Sequence, residues 1–144
     1  IKEYEEETIY VNIPEVIDDN EIIKFREKGN IINDKLKGDI KIFIKIEKEA
    51  PYLFKRKGLD LHYNKTITLK ESLCGFSFQL NHINGESYQI NNKDTIITPN
   101  YTKTVAKLGM KRDGRIGNLI INFTLIFPEQ LSDDIKEKLG DILV

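Results

Sequence analysis

The sequence is short of most things that mark chemistry. It has one cysteine, Cys74, so no disulfide can close within the chain, and a reducing compartment, the cytoplasm, is the expected setting. An export address, if the parent protein carries one, lies upstream of Ile1. The opening IKEYEEET lacks the charged-then-apolar layout of a leader and is expected to be cut from something longer. No apolar run approaches the roughly 20 residues a membrane-spanning helix needs. No repeated cysteine pair is present to hold zinc, and no metal or cofactor is expected. Tryptophan is absent and alanine occurs only twice, while Ile, Lys and Asn abound. That bias suggests AT-rich coding and weakens inference from composition. The 22 Lys and Arg nearly cancel the 23 Asp and Glu, for a net charge of −1. So even a balance argues against a nucleic-acid partner.

What is present is alternation. A chain of 144 residues with 40% hydrophobic and 31% charged residues suits thin β-layers with much solvated surface better than one thick core. Thr8–Ile13 places Ile9, Val11 and Ile13 on one face and Thr8, Tyr10 and Asn12 on the other, a half-buried strand closed by Pro14. Glu21–Phe25 reads as a short strand. Asp39–Lys48 is the clearest strand, with Ile40, Ile42, Ile44 and Ile46 opposite Lys41, Phe43, Lys45 and Glu47. Further on, Gly75–Leu80 and Glu86–Ile90 flank Asn84-Gly85, a hairpin signal offering two positions tolerant of positive φ. Thr95–Thr98, Lys103–Lys107 and Asn118–Phe127 complete the strands. The last carries apolar residues on both faces and is expected to be covered on both.

The two halves repeat one another. VNIP (11–14) matches IITP (96–99), Gly29 matches Gly109, and Gly38-Asp39-Ile40 matches Gly117-Asn118-Leu119. The chain therefore reads as two related β-units, the first lacking its opening strands. The tail, Leu131–Val144, has helical spacing at Leu131, Ile135, Leu139, Ile142 and Leu143, with Ser132 as N-cap and Asp133 and Asp134 at the positive helix end. A helix this short is marginal alone and needs a surface to dock on.

Between the halves lie Phe54-Lys55-Arg56-Lys57-Gly58-Leu59-Asp60-Leu61 and Leu69-Lys70-Glu71-Ser72-Leu73-Cys74-Gly75-Phe76, followed by Gly117-Asn118-Leu119-Ile120-Ile121-Asn122-Phe123 and Phe127-Pro128-Glu129. In order and spacing these resemble the C-terminal client-binding region of DnaJ-type co-chaperones. The resemblance covers essentially the whole chain. It implies an all-β fold of two tandem β-sandwich-like subdomains: a partial first one over 1–58, a second over 59–128, and a dimerisation helix over 129–144. It also implies passive binding of unfolded client polypeptides, their presentation to a DnaK-type heat-shock chaperone, a homodimer through the tail helix, and no enzymatic activity. The His-Pro-Asp triplet of the family's J-domain is not in this sequence. Two departures stand out. Val16 and Asn20 occupy the family's glycine positions, and since valine resists the left-handed region the turn there is expected to differ. Ala50-Pro51 replaces the family's Pro-His pair.

On that reading Phe54, with Phe43 and Tyr10, lines a client-binding surface. Lys55, Arg56 and Lys57 attract an acidic tail of the chaperone partner, and Leu131, Ile135, Leu139, Ile142 and Leu143 form the dimer contact. Each has a plainer alternative: an aromatic at a sheet end, a solvated turn, a helix docked on its own chain. A dimerisation and spacing module with little client binding is the competing function. A cysteine nucleophile would need His62 or His82 as a base, and nothing in the sequence orients either one. Cys74 is expected to be a small buried hydrophobe, and Asp60 to tie down its own turn.

Overall fold

The computed structural model describes residues 4–33, 36–47 and 53–144. The fold is all-β, as expected, with two helices among the described residues. The chain divides into two compact units, residues 1–61 with 106–119 and residues 62–105 with 120–144. Ala50-Pro51 and Lys48 lie outside the described residues.

In the first unit, β1 (Ile22–Phe25) pairs antiparallel with β4 (Ile40–Phe43), and β2 (Ile31–Asn33) pairs with β3 (Leu36–Lys37). Strand β4 is shorter than its isoleucine alternation, although Ile44 continues the ladder by bonding Asn20 and Glu21. The segment 8–13 is not a strand but irregular, and Tyr10 and Ile13 are exposed. Alternation fits a residue for a pleat, but a strand exists only where a second one accepts its backbone bonds, and β1 already has β4. Also in this unit, β5 (Phe54–Lys57) leads to β6 (Asp60–Thr68), and the hairpin β10 (Lys111–Arg112) and β11 (Arg115–Ile116) returns from far along the chain.

The repeat is written in the hydrogen bonds. Gly29 N–H donates to Gly38 O at 2.8 Å, and Gly109 N–H to Gly117 O at 2.9 Å. Gly38 N–H returns to Asn30 O, and Gly117 N–H to Met110 O. Just before each pair a non-glycine residue turns left-handed, Glu27 at φ 57° and Lys107 at φ 63°. Its freed N–H bonds the side chain that opens the next strand, Asp39 Oδ1 at 2.9 Å and Asn118 Oδ1 at 3.3 Å. The glycines are obligatory for a shared reason. A Cβ on Gly29 would strike Gly38 and Asp39, and one on Gly109 would strike Gly117 and Leu59.

In the second unit β6 runs into α1 (Leu69–Cys74), a helix that no reading of the sequence had assigned. A capping box starts it: Glu71 N–H donates to Thr68 Oγ1 and Thr68 N–H donates to Glu71 Oε1. The T-x-x-E spacing was in the sequence. The hairpin β7 (Ser77–Asn81) and β8 (Ser87–Asn91) follows, then β9 (Thr102–Val105) and β12 (Leu119–Ile126). Here β6, β12 and β9 are neighbours in one sheet, in that order. The segment 95–98 is irregular rather than a strand. The buried Ser72 hydroxyl donates to Ile97 O at 2.6 Å and Ile97 N–H donates to Ser72 O at 3.1 Å. Those two bonds satisfy the Ile97 N–H and C=O that a ladder would have used.

Ile67, Phe76, Leu80, Ile90, Ile97, Ile121 and Phe123 are buried in this second unit, whereas Leu61 and Leu119 are the buried apolar side chains described in the first. Phe76 meets Phe123 edge-on at 5.9 Å and stacks with Phe78 at 6.0 Å. At the hairpin tip Gly85 alone takes positive φ, at 86°, where the Asn-Gly pair had suggested two such residues. A five-residue loop closed by His82 N–H to Glu86 O does not need the two-residue turn. Cys74 is exposed, because it ends α1 rather than a strand. The tail helix α2 (Asp133–Ile142) is capped by Ser132 Oγ, which accepts from Ile135 N–H at 3.3 Å. No helix among the described residues is long and apolar enough to cross a membrane.

Candidate functional site

The β1–β4 ribbon has two unlike faces. Register sets Ile23 against Ile42 and Phe25 against Ile40 on the half-buried side. On the other side Ile22 stands opposite Phe43, and Lys24 opposite Lys41, all exposed. Phe43 is 64% and Ile22 50% accessible. This cross-strand pair is an apolar spot framed by lysines, one of them held by Asp39 at 3.2 Å. Sequence reasoning named Phe43 but not Ile22. The missing signal was the pairing of Glu21–Phe25 with the isoleucine strand, which no single segment announces. Tyr10 is exposed on the irregular segment before Pro14, and Phe54 is half-buried at the start of β5. The three aromatics thus sit on three separate elements.

The basic run divides by alternation. Lys55 and Lys57 are exposed, while Arg56 is half-buried and its guanidinium is spent within its own unit. It donates to Ile17 O at 2.6 Å, Val16 O at 3.0 Å and Gly58 O at 2.7 Å, and pairs with Asp18. Arg112 approaches the same loop. It grips Glu21 with both terminal nitrogens, at 2.6 and 2.9 Å, and reaches Val16 O at 3.3 Å. That bond holds the Glu21 carboxyl below the ordinary glutamate range and raises the pKa of Arg112. Asp39 is likewise lowered, first by the Glu27 N–H and then by Lys24.

Between the two arginines Val16 adopts φ 53° and Asn20 φ 64°. The expectation that valine would force a different turn is overturned: it takes the left-handed conformation a glycine would take. Several donors on the Val16 and Ile17 carbonyls over-determine the loop, the condition under which a strained residue persists. Nothing in the local sequence pairs Arg112 with Glu21, 91 residues apart.

Asp60 does not tie its own turn. Its carboxylate accepts from Asn118 N–H at 2.7 Å, and Leu61 N–H donates to Asn118 O at 2.9 Å. Of the apolar tail residues, Ile135 and Ile142 on α2 are 45% and 74% accessible and Leu139 is half-buried, while Leu131 before the helix is half-buried and the C-cap Leu143 is 55% accessible. Both imidazoles meet asparagines: His82 Nδ1 accepts from Asn84 N–H at 3.1 Å, and His62 Nδ1 lies 3.4 Å from Asn122 Nδ2. Among the described residues no group of three His, Cys, Asp or Glu could hold a metal ion.

Residues 2–128 match the family described as DnaJ C terminal domain. The chain belongs to that family. Among similar proteins, "Chaperone protein dnaJ 3" of Arabidopsis thaliana is 36% identical over 143 residues, 96% of this chain and 34% of the relative. "DnaJ protein homolog 1" of Drosophila melanogaster is 35% identical over 124 residues, 84% of this chain and 36% of the relative. "DnaJ homolog subfamily B member 11" of Bos taurus is 35% identical over 148 residues, covering 96% and 39%. This DnaJ C-terminal chain spans about a third of the length of those relatives.

Proposed function

We propose that this chain is part of a DnaJ-type co-chaperone that binds unfolded polypeptide segments and presents them to a DnaK-type heat-shock ATPase, without catalysis of its own. The observation that carries the reading is the family match over residues 2–128. The Ile22–Phe43 pair supports it. Each 100 Å² of apolar surface that a client covers there contributes about 2.5 kcal/mol, a weak and side-chain-tolerant interaction. Phe54 and Tyr10 are further client contacts. Lys55 and Lys57 are the cations for an acidic chaperone tail, with Arg56 acting through the loop it holds. The single cysteine favours a reducing compartment, and the chain is organised as 1–58, 59–128 and a tail helix over 129–144.

Aggregation of a denatured model protein, followed by light scattering, tests this. The chain is expected to slow scattering at stoichiometric excess, and Ile22→Ser with Phe43→Ser to weaken that effect. No slowing by the parent chain counts against client binding.

The exposed Ile135, Ile142 and Leu143 favour a second role as a dimer contact, because a second copy of α2 would cover side chains that one copy leaves in water. Sedimentation of a chain ending at Glu129 decides this: loss of a dimer supports the helix contact, and a mass unchanged per chain removes it.

A further inference from the structure

The tip of the β7–β8 hairpin carries the chain's one Asn-Gly step, Asn84-Gly85, and both residues are exposed. We propose that Asn84 is a modification site, converted spontaneously to aspartate and isoaspartate at a rate that the Tyr88 hydroxyl controls. The inference is independent of client binding.

The chemistry needs only water. The Gly85 backbone nitrogen loses its proton and attacks Cγ of Asn84. A Cγ–N bond forms, the Cγ–Nδ2 bond breaks, and ammonia leaves with that proton. Water then opens the cyclic imide at one carbonyl or the other, giving aspartate or isoaspartate. Glycine at the second position leaves the attacking nitrogen unshielded. Every other asparagine in the chain is followed by a residue with a side chain.

The fold restrains both reacting groups. Gly85 N–H donates to His82 O at 3.1 Å, so the nucleophile is engaged. Asn84 Oδ1 accepts from Glu86 N–H at 2.9 Å, and its Nδ2 donates to Tyr88 Oη at 3.0 Å. Tyr88 Oη in turn donates to Glu86 Oε2 at 2.9 Å, and its ring lies edge-on to His82 at 5.8 Å. The carboxamide must leave both partners before Cγ can meet the Gly85 nitrogen. Tyr88 is the partner that a point change removes without touching the backbone.

The product alters this tip. A carboxylate at 84 has no proton to give Tyr88 and stands beside Glu86. Isoaspartate lengthens the backbone between 84 and 85 by one methylene, which shifts the His82–Glu86 bond and the Asn81–Ser87 register next to it.

The full chain is aged at mildly alkaline pH, and its peptides are mapped by mass spectrometry with isoaspartate-specific methylation. The gain of about one dalton is expected at Asn84 before any other asparagine. Tyr88→Phe, which keeps the ring against His82, is expected to speed it roughly two- to tenfold, the factor carried by one hydrogen bond. Glu86→Ala, which frees the hydroxyl but leaves it in place, is expected to speed it less, with circular dichroism matching the parent for both. Modification at another asparagine first, or parent-like rates in both variants, overturns the proposal.

Discussion

Replacing Val16 by glycine is expected to stabilise the protein, although it deletes a side chain. Val16 holds φ 53°, a conformation that costs an L-residue about 1–2 kcal/mol. Glycine removes that strain. Against it stands the extra freedom of glycine in the unfolded chain, about 0.5–1 kcal/mol. The valine side chain is only half-buried, so little packing is lost. The net gain is about 0.5–1 kcal/mol, a rise of roughly 2–4 °C in melting temperature for a chain of this size. Val16→Ala separates the terms, because alanine loses the valine branches but keeps the Cβ that is strained. Urea unfolding followed by circular dichroism should rank glycine above both valine and alanine. A glycine variant less stable than the alanine variant would mean that the backbone at 16 is not held left-handed, and the account of the two arginines clamping that loop would fall with it.

Other consequences are as direct. Gly117→Ala puts a Cβ inside contact distance of the Leu59 carbonyl and the Asp60 nitrogen, and should cost about 4 kcal/mol or more in urea unfolding. Gly140→Ala meets nothing within 4 Å on an exposed turn of α2, and should raise helix stability by about 1 kcal/mol, read from the helical signal on heating. Glu21 and Asp39 have depressed pKa values in the fold. Their stabilisation is therefore complete above the unfolded carboxylate range, about pH 4, and is lost as pH falls through the folded values. Urea midpoints should drop on acidification, and Glu21→Gln should flatten that drop; an unchanged acid limb would show that the Arg112 pair does not form.

Residues that act through their neighbours in sequence were legible before any coordinates. The isoleucine alternation at 40–44 marked β4, Ser132 with two aspartates marked the start of α2, and the paired glycines marked the repeat. The failures share one cause. The 8–13 segment alternates as well as any strand, yet it has no ladder. Ile97, within Thr95–Thr98, spends its N–H and C=O on Ser72 instead. Cys74 was judged by residue type, and the end of a capped helix decided its exposure. Of the candidate surface, Phe43 could be picked from its strand, but its partner Ile22 could not. Arg56 looked like one of three equivalent cations until its carbonyl partners were seen.

The amino-acid order by itself therefore determined family, element type and the duplicated glycine framework, because periodicity, capping and close backbone approach are set by side chains a few positions apart. Tertiary structure alone decided which alternating segments became strands, which of the three cations at 55–57 was spent on a loop and why a valine can stand where a glycine is expected. Those outcomes depend on donors and acceptors brought together from 25 to 96 positions away, and a hydrogen-bond partner at that separation leaves no periodic trace in the chain.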